Sequence, residues 1–110
     1  MIFDTDGNIS IITQEKVSVI NLVKGIEEAY EKIKFNNIIV ILSSLKPVSL
    51  EDIIEFLRLS NTHRSSKKSF VIVSNKVDVD EMPDEIIVVP TLQEAYDIIE
   101  MEEMERDLGI

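Results

Sequence analysis

Two unbroken runs of apolar residues constrain the fold of this chain more than any other feature. They are Ile38-Ile39-Val40-Ile41-Leu42 and Phe70-Val71-Ile72-Val73, and polar residues flank both. Runs of this kind lack the alternation of a half-exposed strand and are typical of strands covered on both faces. Such a sheet needs helices against both sides, so the two runs predict an α/β protein.

Helical patterns separate these strands. Apolar residues recur at helical spacing from Ser18 to about Phe35, which predicts the first helix. A second helix is predicted to begin after Ser49, whose side chain is suited to cap it, and to end before the polar segment that starts at Asn61. We expect its inner stripe to consist of Leu50, Ile53, Ile54 and Leu57.

The two ends of the chain predict the remaining elements. Residues 2–12 read as a hairpin with its turn at 4–8, residues 86–89 as a short strand, and Thr91 with Glu94 as the capping box of a last helix. We therefore predict one domain over residues 1–110, with a mostly parallel or mixed sheet of four or five strands, three helices and an N-terminal hairpin. Residues 100–110 are predicted to form an acidic, amphipathic extension of the last helix.

Composition narrows the class of partner. The chain has 110 residues, 45% of them hydrophobic, and a formal net charge of −10. A field of this sign repels nucleic acid and anionic membranes, so neither is expected as a partner, and it steers the chain towards basic proteins. There is no cysteine, no apolar run long enough for a membrane span and no signal-peptide pattern, so we expect a cytoplasmic protein.

Residues for catalysis are scarce. His63 is the single histidine, and it lies beside Arg64, Lys67 and Lys68 at the predicted end of the second helix. We expect it to be a solvated residue at a helix terminus, where cations complement the helix dipole. The chain contains no nucleophile elbow and no glycine-rich phosphate loop, so we predict no enzymatic activity and no cofactor.

Two acidic segments invite a comparison with metal sites. Asp4, Asp6, Asn8 and Glu15 match the ligand spacing of a calcium loop, but Ile9 stands where such a loop needs glycine. The acids between residues 75 and 85 are typical of a solvated surface loop. No metal is therefore predicted.

The C-terminal segment carries a narrow apolar stripe within an acidic helix. The stripe consists of Met101, Met104 and Leu108. Methionine side chains adapt to varied partners and are common at binding surfaces. Two interpretations stay open: the stripe packs on the body of the domain, or it docks a partner protein or a second copy of the chain.

The stretch from Ile41 to Ile53, the strand Phe70–Val73 and the phrase Pro90–Ala95 together resemble the STAS domain of bacterial anti-sigma factor antagonists. The resemblance implies a protein–protein interaction module whose partner surface includes the loop before the second helix. The residues of this chain that it places on that surface are Ser43, Ser44, Lys46, Ser49 and Leu50. The serine phosphorylated in the family falls on Leu50, so the usual phosphoserine switch is not expected.

Two further function classes stay open beside this leading hypothesis. The tail from Glu100 to Gly109 is similar to that of short proteins identified as ribonuclease Z, an RNA-processing enzyme. One histidine cannot supply the histidine-rich zinc cluster of such an enzyme, so the residues favour at most an accessory role. The other class is a small-ligand binder or a homo-oligomeric scaffold on a flavodoxin-like frame, and a homodimer is compatible with either surface.

Overall fold

The computed structural model describes residues 1–43 and 47–109, and it confirms an α/β fold with a mixed five-stranded sheet. The strands are β1 (Ile2–Asp6), β2 (Ile9–Thr13), β3 (Asn37–Ile41), β4 (Phe70–Val73) and β5 (Ile87–Val89). The α-helices are α1 (Val19–Ile33), α2 (Leu50–Ile54), α3 (Leu57–Ser65) and α4 (Leu92–Asp107), and a 3-10 helix covers Val79–Glu81.

The strands lie side by side in the order of the chain, β1-β2-β3-β4-β5. β1 is antiparallel to β2, and the other neighbouring pairs are parallel. One register row crosses the sheet from Ile12 through Val40 and Ile72 to Val88. Each connection therefore moves to the next strand, and the sheet has no point at which the strand order reverses.

The predicted hairpin is present, but its turn is shorter than the 4–8 segment expected. β1 runs as far as Asp6, and only Gly7 and Asn8 form the turn. Gly7 has a φ of +58°, a left-handed conformation that glycine adopts without a steric penalty. Two-residue turns of this kind match the twist of paired strands, which explains why Asp4 and Asp6 become strand residues.

The buried runs divide their side chains between the two faces of the sheet. On one face, Ile38 and Val40 belong to a core covered by α1, α2 and α3. On the other face, Ile39 and Val71 belong to a smaller core covered by α4. Ile38, Ile39 and Val40 are all fully buried, as predicted for a strand covered on both sides.

The prediction of one continuous second helix is wrong, because the structure divides this segment into α2 and α3. The amide of Phe56 donates to the carbonyl of Ile53 over 3.0 Å, a tightened turn that interrupts the helix. Phe56 is buried in the core, where its ring centroid lies 6.3 Å from that of Phe70. Leu50 and Ile54, predicted inside, are 38% and 45% exposed.

Side-chain caps define the beginnings of three helices. The hydroxyl of Ser49 accepts from the amide of Asp52 over 3.1 Å, which confirms its predicted role as N-cap. Ser18 caps α1 in the same way. Thr91 caps α4 by accepting from the amide of Glu94, and the Glu94 carboxylate contacts the Thr91 hydroxyl. These caps fix where α1, α2 and α4 enter the fold.

Candidate functional site

The loop after β3 and the start of α2 hold the first group of predicted partner-binding residues. Ser49 and Leu50 lie at the start of α2, where Ser49 is occupied as the N-cap and Leu50 is exposed. Ser43 follows β3 and is exposed. Ser44 and Lys46 lie outside the described residues.

Gln14 holds this loop against the end of β2, a role that the sequence pattern did not reveal. The amide of Ser43 donates to the side-chain carbonyl of Gln14 over 3.0 Å, and the Ser43 hydroxyl donates to the Gln14 backbone carbonyl. Gln14 also donates to the carbonyl of Val17 over 2.8 Å and is itself buried. The Ser43 side chain is therefore engaged in positioning the loop.

A groove lies between α1 and the α2–α3 pair, and we refer to it as the α1–α2 groove. Its volume is about 320 Å³. Its lining consists of Ile20, Val23, Lys24, Glu27, Ile54, Glu55, Arg58 and Leu59. Ile20 is 51% exposed and Ile54 is 45% exposed, so each presents an apolar side chain at the surface. Leu50 lies one helical turn before Ile54 and extends this apolar surface along α2.

Charged residues of both signs surround the α1–α2 groove. Lys24 and Arg58 supply two positive charges, and Glu27 and Glu55 supply two negative ones. Within the part of the chain that the structure describes, none of these four side chains makes an ion pair. The groove therefore combines exposed apolar side chains with charges of both signs, a combination that occurs at protein interfaces.

The second predicted surface is the stripe on α4, and its side chains point away from the sheet. Met101, Met104 and Leu108 are 47%, 56% and 75% exposed. Ala95 and Ile99 occupy the opposite side of the helix and are buried against the smaller core. The stripe therefore does not pack on the body of the domain, which was one of the two interpretations of the sequence.

The two surfaces are not brought together by the fold. The α1–α2 groove lies on the sheet face that α1, α2 and α3 cover, whereas α4 covers the other face. Because the sheet separates them, Leu50 and Met101 cannot contribute to one contiguous contact. They define two separate candidate docking surfaces.

A polar network fastens the C-terminal half of α4 to the sheet. Arg64 donates two hydrogen bonds to the Glu102 carboxylate, of 2.7 and 3.3 Å, and the buried Ser69 hydroxyl donates a third of 2.6 Å. Arg106 donates to the Ser69 hydroxyl and to the Asn37 side-chain carbonyl. The sequence did not reveal this network, because its members come from α3, α4 and the starts of two strands.

The charge state of Glu102 follows from this network. Burial acts to raise the pKa of its carboxyl, but the hydrogen bonds from Arg64 and Ser69 and the nearby Arg106 charge outweigh burial. The pKa of Glu102 is therefore lowered, and the carboxylate is ionised at neutral pH. The helix that carries the methionine stripe is thus held in place by a charge-assisted contact on its inner side.

His63 is not at a solvated helix end, as the sequence predicted, but fully buried. Its Nδ1 lies 2.8 Å from the Tyr30 hydroxyl and its Nε2 lies 2.8 Å from the carbonyl of Asn36. A carbonyl only accepts, so Nε2 carries the hydrogen and Nδ1 accepts from Tyr30. Burial lowers the pKa of His63, which keeps the imidazole neutral.

The position of His63 also bears on catalysis. Both ring nitrogens are engaged by protein groups, and the side chain has no exposed surface from which to reach a substrate. Among residues 1–43 and 47–109, no group of three or more histidines or carboxylates is arranged to hold a metal ion.

Comparisons with known proteins add no relatives to this description. No protein-family model matches the chain, and no curated protein is detectably similar to it in sequence. None of the helices in the described ranges has the length and apolar character needed to cross a membrane.

Proposed function

We propose that this chain is a non-enzymatic protein–protein interaction module that binds a partner protein through the α1–α2 groove. The observation that carries the proposal is the exposure of Ile20, Leu50 and Ile54 around a groove of about 320 Å³. Three large apolar side chains at adjoining helix edges lower the free energy when a partner removes them from water. The resemblance to STAS domains, drawn from the sequence, implies a partner surface near Leu50 and supports this choice.

The occupant that fits best is a helix or loop of a different protein. Its apolar side chains would contact Ile20, Leu50 and Ile54, and charged residues of both signs would pair with the rim. A second copy is disfavoured, because two chains of net charge −10 repel each other on approach. The partner is therefore expected to be a protein of neutral or basic net charge.

This proposal does not include the phosphoserine switch of anti-sigma factor antagonists. Leucine occupies the relevant position, Leu50, and has no group that accepts a phosphate. Ser49 is engaged as the N-cap of α2. Regulation of binding at this surface therefore needs a different mechanism, and Ser49 phosphorylation is not part of the proposed function.

A site-specific crosslinking experiment tests the proposal. A photoreactive residue is placed at position 54 in the groove, and a control at position 35, where Phe35 is 74% exposed at the end of α1. We expect one host protein to crosslink from position 54 in stoichiometric amounts and not from position 35. The same protein should be lost when Leu50→Glu is combined with the probe at 54.

Three outcomes would contradict the proposal. Equal crosslinking from positions 54 and 35 would indicate non-specific contact. Retention of the partner by Leu50→Glu would place the interface elsewhere. Crosslinked dimers of the chain itself, confirmed by sedimentation, would favour the homo-oligomeric scaffold over binding of a different protein.

A further inference from the structure

The outward face of α4 is apolar along its centre and acidic along both edges. Met101, Met104 and Leu108 share one side of the helix over a length of about 11 Å, at 1.5 Å of rise per residue. On one edge lie Glu100 and Asp107, and on the other lies Glu105, all of them exposed.

The charged side chains that α4 itself places along this face are all acidic. α4 contains one basic residue, Arg106, and it points to the opposite side, where it contacts Asn37 and Ser69. Within the described ranges, Glu100, Glu105 and Asp107 make no ion pair. Glu105 lines a cavity together with Lys67 and Lys68. The field that attracts positive charge therefore comes mainly from the opposite edge, Glu100 and Asp107.

This charge pattern selects among the occupants that an apolar stripe could have. A second copy of α4 would bring its acids against those of the first copy, and like charges across an interface are unfavourable. An anionic lipid surface is repelled for the same reason. A protein helix with an apolar stripe and lysines or arginines beside it satisfies both features, because its cations pair with Glu100 and Asp107.

We propose that α4 is a second docking site, which binds a basic amphipathic helix of a partner protein on the methionine stripe. Methionine suits this role because its flexible, polarisable side chain adapts to differently shaped apolar partners. The network of Glu102 with Arg64 and Ser69 keeps α4 on the sheet, so the stripe is presented on an anchored helix. Since the groove lies on the other sheet face, both sites can be occupied at once, and the chain would then bridge two partners.

A synthetic peptide tests this site independently of the groove. The probe is a fluorescein-labelled helix of about 18 residues, with leucines at the i, i+3, i+4 and i+7 positions and lysines elsewhere. A peptide of identical composition in scrambled order keeps the charge but lacks the apolar face. Binding to the full chain is measured by fluorescence anisotropy at low and high salt.

We expect the amphipathic peptide to bind more tightly than the scrambled peptide, and to bind more weakly as salt is raised. Met101→Ser combined with Met104→Ser should weaken binding by about tenfold or more, because two apolar contacts are lost. Phe35→Ser combined with Val79→Ser is the control, since it removes two exposed apolar side chains outside both surfaces and should leave peptide affinity unchanged.

The inference is overturned by any of three results. Equal affinity for the scrambled peptide means that charge alone is recognised. Loss of binding in a groove variant, Ile20→Ser combined with Ile54→Ser, but retained binding in the α4 variant means that the peptide occupies the groove. A wild-type dimer that becomes monomeric in the α4 variant shows that a second copy covers the stripe. Melting temperatures of all three variants close to that of the unmodified chain ensure that each comparison is made on folded protein.

Discussion

The Tyr30 hydroxyl donates a hydrogen bond of 2.8 Å to Nδ1 of His63, and this contact joins α1 to α3 inside the main core. The two rings meet edge to face, with their centroids 5.5 Å apart. On its other side His63 donates to the carbonyl of Asn36, just before β3. One buried imidazole thus links two helices and the chain segment leading into the central strand.

Acidification should destabilise the protein through His63. Burial lowers its pKa in the folded state, so the unfolded chain binds a proton near pH 6.5 while the folded chain does not. Stability is therefore complete above pH 6.5 and falls as pH decreases towards the folded pKa. Between pH 7.5 and 5.5 the free energy of unfolding should fall by up to about 1 kcal/mol, measured by urea denaturation.

Because the chain has a single histidine, one substitution is enough to test whether His63 causes this pH effect. His63→Leu should remove most of the pH dependence between 7.5 and 5.5, even if it lowers stability at every pH. An NMR titration of the imidazole in the unmodified chain gives a second measurement. A pKa at or above 6.5 in the folded protein would contradict the prediction.

The hydrogen bond of Tyr30 to the buried His63 should contribute more to the free energy of unfolding than the surface hydrogen bond of Tyr96 to Asp6. Tyr30→Phe leaves Nδ1 of the buried His63 without a donor, so it should cost about 1–2 kcal/mol in the free energy of unfolding. Tyr96 donates to Asp6 over 2.9 Å at the surface, where water can replace the lost partner. Tyr96→Phe should therefore cost less than about 0.5 kcal/mol. Equal losses in the two variants would contradict this account.

The architecture could be read from the sequence because its signals are local. The run Ile38–Leu42 and the run Phe70–Val73 identify buried strands without reference to the rest of the chain, and the N-caps Ser49 and Thr91 lie next to the helices they begin. Strands of this kind separated by helices fit few folds other than a parallel or mixed sheet. The fold class therefore follows from composition and spacing alone.

The candidate surfaces were harder to predict, because they depend on the rotation of short helices. Ile53 and Phe56 face the core, so Leu50 and Ile54, which lie on the other side of α2, point outward. The same inner stripe, continued along α3 through Leu59, carries His63 into the core. Placing the large Phe56 ring inside at the outset would have given the correct rotation, whereas the charges beside His63 suggested exposure.

The Arg64–Glu102 ion pair should contribute more to the free energy of unfolding than the exposed Lys34–Glu31 pair. Its two hydrogen bonds are partly shielded from water, with the Glu102 side chain 13% exposed. A double-mutant cycle with Arg64→Met and Glu102→Gln should give a coupling energy of about 1–2 kcal/mol. The exposed pair Lys34–Glu31 serves as the control and should give less than about 0.5 kcal/mol.

The Arg64–Glu102 pair should also make the stability of the protein more sensitive to acid. Because the pKa of Glu102 is lowered in the folded state, its contribution is present above about pH 4.5 and is lost as pH falls through the folded pKa. Glu102→Gln should make the loss of stability between pH 5 and pH 3 smaller than in the unmodified chain. An unchanged slope would show that the carboxylate is not held ionised by Arg64 and Ser69.

Glycine in place of Lys67, in the turn after α3, should stabilise the protein. Lys67 has a φ of +62°, in the left-handed region that disfavours residues with a Cβ. Lys67→Gly should raise the free energy of unfolding by about 0.5–1 kcal/mol, because glycine adopts this conformation at the end of a helix without strain. Lys68→Gly removes the same charge one residue later and should not stabilise the protein.

Ile53 and Ile54 are adjacent in the chain, but truncation to alanine should lower the free energy of unfolding much more at Ile53 than at Ile54. Ile53 is fully buried in the main core, so Ile53→Ala should cost about 2–5 kcal/mol in the free energy of unfolding. Ile54 is 45% exposed beside the α1–α2 groove, so Ile54→Ala should change stability by less than about 1 kcal/mol. Partner binding should show the reverse order, since only Ile54 is available at the surface. A large stability loss in Ile54→Ala would mean that the side chain serves the core, and the groove would then lose its main apolar contact.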